Sequence, residues 1–345
     1  MQTKKILTWT LALILAVTQT GFASAPKLGT AGAVELLIPM GARNVAMSGA
    51  NISQVSGTEA IYYNPAGLAI IDGRAEASFS YMNYFADMSV TYLAAGVQAG
   101  RAGTFGLTIQ SLDIGEIPVT TIDQPEGTGQ VLQPSFLTVN ASYAKGLSDR
   151  INFGANAKLV TEGVGTMKAN AVAFDFGLQY VTPWGISMGI AMRNIGGSMS
   201  YSGTAVEFDS DVPFANPNAT TRKTRLDMAD HELPASLNMG ASYSLEMGNN
   251  HQMNLTGVYG NNSYELDNIS VGAEYGLFDM FFVRGGYLTR MYPDDYPGDK
   301  EQQFDLSYGF GLKMNISGGE FRFDYANRPM DLFSNVQYFT IGFSL

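Results

Sequence analysis

The 345-residue chain has no cysteine, two histidines and two tryptophans. Lack of cysteine excludes disulfides, thiol catalysis and a lipid-modified N-terminal cysteine; it fits the cell envelope without requiring it. The histidines, His231 and His251, fall in a long polar stretch and beside a tight turn, and neither has an evident triad or ligand partner. No Gly-x-Ser-x-Gly, Walker or dinucleotide fingerprint occurs. The expectation is therefore no enzyme activity and no cofactor. Charge is scarce too: 15% of residues are charged, where about a quarter is usual in a soluble domain. Acids outnumber bases by 31 to 20. That excess excludes binding nucleic acid through its phosphates and disfavours adsorption to anionic lipid. Beyond the N-terminus no apolar run approaches the ~18 residues of a spanning helix.

What is present begins with a secretory signal over residues 1–23. Lys4 and Lys5 precede a largely apolar run from Ile6 to Val17, and Gly21, Ala23, Ser24 and Ala25 follow. Cleavage is expected after Ala23, because a cut after Ala25 would leave Pro26 first. Loss of the two lysines lowers the formal charge of −11 further. An exported chain that is poor in charge, lacks spanning helices and holds 39 glycines points to a transmembrane β-barrel.

Period-two alternation supports this over residues 73–345. Val172, Phe174, Phe176, Leu178 and Tyr180 alternate with Ala173, Asp175, Gly177 and Gln179; Leu306, Tyr308, Phe310 and Leu312 alternate with Ser307, Gly309, Gly311 and Lys313. One face suits lipid, the other a crowded lumen. Candidate strands fall at roughly 75–85, 89–99, 104–112, 135–146, 151–162, 170–181, 185–194, 233–246, 251–260, 264–276, 281–291, 303–315, 319–326 and 335–345. Short turns such as Ser148-Asp149-Arg150 and Ser317-Gly318 alternate with mostly longer connections, 113–134 and 195–232 among them. That parity is expected of an outer-membrane barrel. The architecture read from the chain is an all-β, antiparallel barrel of about fourteen strands, too wide for wall side chains alone to fill. A soluble β-sandwich would not need apolar outward faces on every strand.

Residues 24–72 lack the strand pattern and are the candidate lumen plug. Ala46, Gly49, Ala50 and Ser53 recur at helical spacing, predicting a small-residue helix face made for close approach. Asn64-Pro65 then imposes a turn, in which Asn64 is expected to bond free backbone groups while Tyr62 and Tyr63 dock inside the barrel.

Gly41-Ala42-Arg43, Met47, Gly49-Ala50 and the run Ala60-Ile61-Tyr62-Tyr63-Asn64-Pro65-Ala66-Gly67-Leu68 resemble the N-terminal signature of PorV/PorQ-type outer-membrane proteins, within the wider FadL-like group of barrels. The match proper covers this segment; downstream the likeness is one of strand layout. The terminal strand, with Phe339, Ile341, Phe343 and Leu345 on one face, resembles the insertion signal of such barrels, although Phe is the usual last residue. The resemblance implies outer-membrane localisation, contact with outer-membrane lipid, and a segment folded into the lumen. It implies two roles of different class. One is an accessory of protein export, type IX secretion-like, engaging secretion-system proteins or exported cargo. The alternative is passive transport of a hydrophobic ligand.

Charged residues on predicted lumen faces are Glu76, Lys158, Asp175, Arg193, Glu274, Arg284, Asp305, Lys313, Arg322 and Asp324. Both signs occur, so pairing is expected rather than a charge-selective pore, and Arg43 is the natural partner for one of the carboxylates. Asp294, Asp295, Asp299 and Glu301 crowd one loop; Asp209, Asp211, Asp227, Asp230 and Glu232 lie in another. Oxygen ligands of this kind can hold calcium, but the spacing is not that of an EF-hand, and no metal site is assigned.

Overall fold

The computed structural model describes residues 27–210, 222–248, 250–292, 306–316, 318–330 and 334–345. The expected signal segment and the acids at 294–301 lie outside these residues. Fourteen long strands follow in order. The first seven are β1 (Ala75–Asn83), β2 (Ser89–Gln98), β3 (Thr104–Asp113), β4 (Ser135–Ser148), β5 (Ile151–Val164), β6 (Met167–Val181) and β7 (Ile186–Gly196). The second seven are β8 (Ser236–Glu246), β9 (His251–Asn262), β10 (Asn268–Leu277), β11 (Phe281–Arg290), β12 (Leu306–Ile316), β13 (Gly319–Arg328) and β14 (Val336–Ser344). Each pairs antiparallel with its neighbours in sequence, and β1 also pairs with β14, so the sheet closes on itself. Closure leaves no edge whose backbone groups would go unpaired.

Burial alternates along the strands as the pleat requires. On β1, Glu76, Ser78, Ser80 and Met82 are buried, while Ala77, Phe79 and Tyr81 are exposed. The outward rows are apolar: Phe105, Leu107 and Ile109 on β3, Phe174, Phe176 and Leu178 on β6, Phe339, Ile341 and Phe343 on β14. Such a belt suits hydrocarbon rather than water. The connections after even-numbered strands are short at one end of the barrel, from 99–103 to 317–318. At the other end they include 114–134 and 197–235, although β5 and β6 join there through Gly165-Thr166 alone.

All the expected strands exist, with shifted ends. β1 stops at Asn83, because Ala86 and Asp87 turn the chain with positive φ. β8 starts at Ser236 rather than 233, since Pro234 offers no N–H to a ladder. The expected strand residues 303–305 lie outside the described set.

The segment before β1 runs along the inside of the barrel. It begins at the long-loop end, where the Gly29 N–H donates to the Tyr264 carbonyl and the Gly32 N–H to that of Glu232. It reaches the short-turn end at Gly73, beside Leu345. Its helices are brief, Ala42–Ala46 and Ala60–Tyr63, with 3-10 turns at Val34–Leu37, Gly57–Glu59 and Pro65–Ala69. The helix face expected from Ala46 through Ser53 is not formed. Ser48 and Gly49 adopt φ of 54° and 72°, which a right-handed helix cannot contain. The small residues there serve a turn.

Candidate functional site: the lumen crossing

The segment meets the wall in two ways. Along β5, β6, β7 and β11 the wall withdraws to glycine. A Cβ on Gly154 would lie 2.2 Å from the Pro65 carbonyl carbon, one on Gly286 2.2 Å from that of Met47, and one on Gly189 2.6 Å from the Ile52 oxygen. Glycine is required there by space, because the segment's backbone lies against the wall's. Uncharged wall side chains then satisfy that backbone. Asn156 Nδ2 donates to the Ile61 carbonyl at 2.8 Å, and Gln179 Nε2 to those of Ile52 and Val55 at 3.2 and 2.9 Å. Thr256 Oγ1 donates to the Ala50 carbonyl, and the Ala42 N–H to Thr340 Oγ1 at 2.9 Å. Buried backbone groups need such partners.

Asn64 is the pivot on this side. Its Oδ1 accepts from the Ala66 N–H at 3.2 Å, and its Nδ2 donates to the carbonyls of Ile52 and Leu178 at 2.9 and 3.2 Å. Pro65 opens the next 3-10 turn, where a missing N–H costs nothing. Ala66, Gly67 and Leu68 are buried behind it.

From β10 round to β1 the contact is also ionic, β11 carrying both Gly286 and Arg284. Arg43 grips Glu274 with two bonds, Nε to Oε2 at 3.0 Å and Nη2 to Oε1 at 2.9 Å. Arg284 donates to the same Glu274 at 2.6 Å and also to Asp324. Arg322 continues the chain to Asp324 at 3.4 Å and to Glu76 at 3.5 Å. Glu76 ends it by accepting from the Thr58 N–H and hydroxyl at 3.0 and 2.9 Å. The relay thus links β10, β11, β13 and β1 and touches the segment at both ends. Glu274's charge holds the Arg43 guanidinium firmly protonated. Glu59, which accepts from the Asn44 N–H at 3.0 Å, is pushed up by burial, with Arg322 opposing.

Lys158 and Asp175 pair at 2.7 Å, apart from that relay. They sit at an irregularity in the wall: between Phe174 and Phe176 the register with β7 shifts, and Asn194 takes φ 57°. The Asn194 N–H donates to Asp175 Oδ1 at 2.8 Å, and Lys158 Nζ donates to Asn194 Oδ1 at 2.8 Å. Arg193, at the inward position just before this bulge, has its guanidinium 5.2 Å from the Tyr62 ring centre. Lys313 lies instead at the short-turn rim, bonded to Glu320 at 2.9 Å and near Asp279 at 3.4 Å.

Above the segment, toward the long loops, is a cavity of about 520 Å³. Val45, Gly49, Ile52, Tyr62 and Tyr63 of the segment form its floor, with Leu37 and Ile38 beside them. The wall adds Leu112, Val258, Leu288 and Tyr338, and polar groups include Glu35, Arg193, Asn238 and Arg328. Tyr62 and Tyr63 stand edge to face, 4.9 Å between centres, and Tyr62 Oη donates to the Leu36 carbonyl at 3.2 Å. An apolar chamber with a few polar groups can take a small molecule with one polar end.

The sequence placed the charged residues on lumen faces without their partners: Arg43 meets Glu274, and Asp305 lies outside the described residues. Tyr338, Glu35 and Glu162 were not singled out. Tyr338 and Glu162 sit at inward positions of β14 and β5, so alternation extended to those positions reveals them; Glu35 precedes any strand and has no such signal. Among the described residues no group of three or more metal-ligating side chains occurs. Glu232 bonds Lys27 Nζ at 2.9 Å and Tyr264.

No protein-family model matches the chain, and no curated protein does. Solved structures do. The CymD monoaromatic hydrocarbon channel aligns over 88% of this chain and 96% of its own, with 14% identity and TM-score 0.54. The Pseudomonas putida toluene transporter TodX gives the same coverage, identity and score. A Pseudomonas aeruginosa FadL homologue aligns over 94% of this chain and 99% of its own, with 11% identity and TM-score 0.52. At these identities the likeness is one of fold.

Proposed function

We propose that this chain is a passive outer-membrane channel that admits hydrophobic small molecules from the long-loop side. The observation that carries the reading is the chamber of about 520 Å³, floored by the aliphatic and tyrosine side chains of the lumen segment, with charged groups such as Glu265, Arg290 and Arg328 also in its lining. Its volume falls in the roughly 300–1,000 Å³ range of small-molecule sites. The apolar outer belt supports residence in a membrane, and the turn parity supports long loops outside. Likeness in fold to a toluene transporter and a hydrocarbon channel supports the ligand class. Residues 41–71 act as the plug in this reading, and passage requires the segment to shift. Every neighbouring strand pair is hydrogen-bonded among the described residues, so there is no standing gap. The bulge between β6 and β7 adjoins the chamber through Arg193 and is the place where the wall would part.

Export-accessory function, with secretion-system proteins or cargo as partners, draws on the N-terminal resemblance alone. Liposomes carrying the protein should take up a toluene-like probe faster than empty ones, with little ion conductance. Equal uptake removes the channel reading. In the same membranes a variant lacking residues 41–71 should conduct ions freely, and unchanged conductance in a folded barrel would mean the segment is no plug.

A further inference from the structure

Among the described residues, Glu35 is the carboxylate whose two side-chain oxygens are both buried with no donor from another side chain on them; what they meet is the Glu162 carboxyl. It is 2% exposed, on the 3-10 turn Val34–Leu37, where Gln110 Nε2 donates to its backbone carbonyl at 3.0 Å. Beside it is a second acid, Glu162, 4% exposed on the inward face of β5, with one oxygen bonded by Tyr201 Oη. Neither acid has an ion pair with a Lys or Arg among the described residues. A third, independent group lies in the next strand. Gln110 is in register with Thr138 of β4, and Thr138 Oγ1 is buried and also unpartnered. Asn140 Oδ1, two residues along the same inward row, is in the same state.

The orphaned side-chain atoms are thus mostly acceptors or hydroxyls. Two acids together away from water favour either a bound cation or a retained proton. Oxygen-only donors with loose geometry suit a hard cation, and calcium accepts irregular shells better than magnesium does. We propose that Glu35 and Glu162, with Thr138 one inward position along β4 from the residue facing Glu162, form a calcium site that ties the start of the lumen segment to the wall between β4 and β5. The site borders the chamber but does not depend on what passes through it.

The test is metal binding by the full chain, purified in detergent and stripped with EDTA. Terbium titration, read as luminescence sensitised by tyrosine, should reveal a saturable site from which calcium displaces terbium. Calorimetry with calcium chloride should give a Kd of about 10⁻⁴–10⁻³ M, the range of extracellular calcium modules. Glu35→Gln and Glu162→Gln should each weaken binding at least about tenfold, since each removes a charged oxygen ligand. Asp149→Asn, in the exposed loop joining β4 and β5 at the short-turn end, should leave it unchanged. Heat-modifiable migration on gels checks that each variant is folded; if one acid variant is not, the other and the unaltered chain decide. Absence of saturable calcium binding up to about 10 mM, well beyond that range, overturns the site and leaves the acids sharing a proton. Wild-type affinity in both acid variants, or loss of binding in the loop variant alone, overturns it equally.

Discussion

The two walls that hold the lumen segment use different chemistry. On the β5–β7 side the fit is steric, with glycines at 154 and 189 letting backbone lie on backbone, Gly177 making room for the Asn64 side chain, and amides closing the bonds. On the β10–β13 side a charge relay from Arg43 to Glu76 is added to the close approach of Gly272 and Gly286 to Met47. The glycine wall tolerates no added volume, whereas the ionic wall tolerates no change in charge. Glycine wins where the segment's main chain must pass close. Charge serves where side chains bridge a wider gap, since a buried ion pair stands only if every member stays paired. The difference predicts separate ways to break each side.

Arg284 is the point of largest effect. It donates to both Glu274 and Asp324 and is 3% exposed, so Arg284→Met leaves two buried carboxylates short of a partner. Breaking a buried pair in this way costs about 3–5 kcal/mol. The expected readout is a lower denaturant midpoint for the refolded barrel. Adding Asp324→Asn to Arg284→Met should recover part of the loss, since Glu274 keeps Arg43 while Asp324 is left sharing Arg322 with Glu76. No recovery would mean that the relay is not electrostatically coupled.

The glycine wall should respond less in stability and more in permeability. A methyl added by Gly154→Ala would sit 2.2 Å from the Pro65 carbonyl carbon, and overpacking of this kind costs about 1–3 kcal/mol. Because Gly154 is an ordinary strand position, the ladder itself should survive and the Asn64-Pro65 turn should move. Raised ion conductance with unchanged heat modifiability is the expected outcome. A closed channel in a stable Gly154→Ala barrel would show that the contact is slack.

Far more of the barrel than of its contents was legible in the sequence. Period-two alternation is a local property of each strand, and one lipid face and one lumen face impose it throughout, so Phe174, Phe176 and Leu178 declare themselves without a partner in view. Lumen charges could be placed on the same grounds, since Glu274 and Arg284 fall on inward positions of β10 and β11. Their partners could not, because Arg43 reaches Glu274 across 231 residues of chain. The segment itself misled at Ala46–Ser53: small residues at helical spacing also describe a turn, and only backbone geometry separates the two. Asn64-Pro65 was readable because its chemistry is local. The chamber was not, because its lining comes from strands and turns scattered along the chain and from Glu35, which no periodicity marks.

Gly49 sharpens the comparison with the smallest effect. Had it lain on a close-packed helix face, any side chain would collide with the wall, as at Gly286. Instead a Cβ on Gly49 would find only Tyr63 Cε1, at 3.6 Å, which is ordinary contact, and the residue borders the chamber. What selects glycine is its φ of 72°. An L-residue held in that left-handed region costs roughly 1–2 kcal/mol, and nothing further is lost in packing. Gly286→Ala has no such φ and would put its methyl 2.2 Å from the Met47 carbonyl carbon. It should therefore displace the turn that Gly49→Ala merely strains. Conductance separates the two: Gly49→Ala should lower the unfolding midpoint slightly and stay closed, whereas Gly286→Ala should leak. Leakage from Gly49→Ala as large as that from Gly286→Ala would restore the close-packed face and remove the turn.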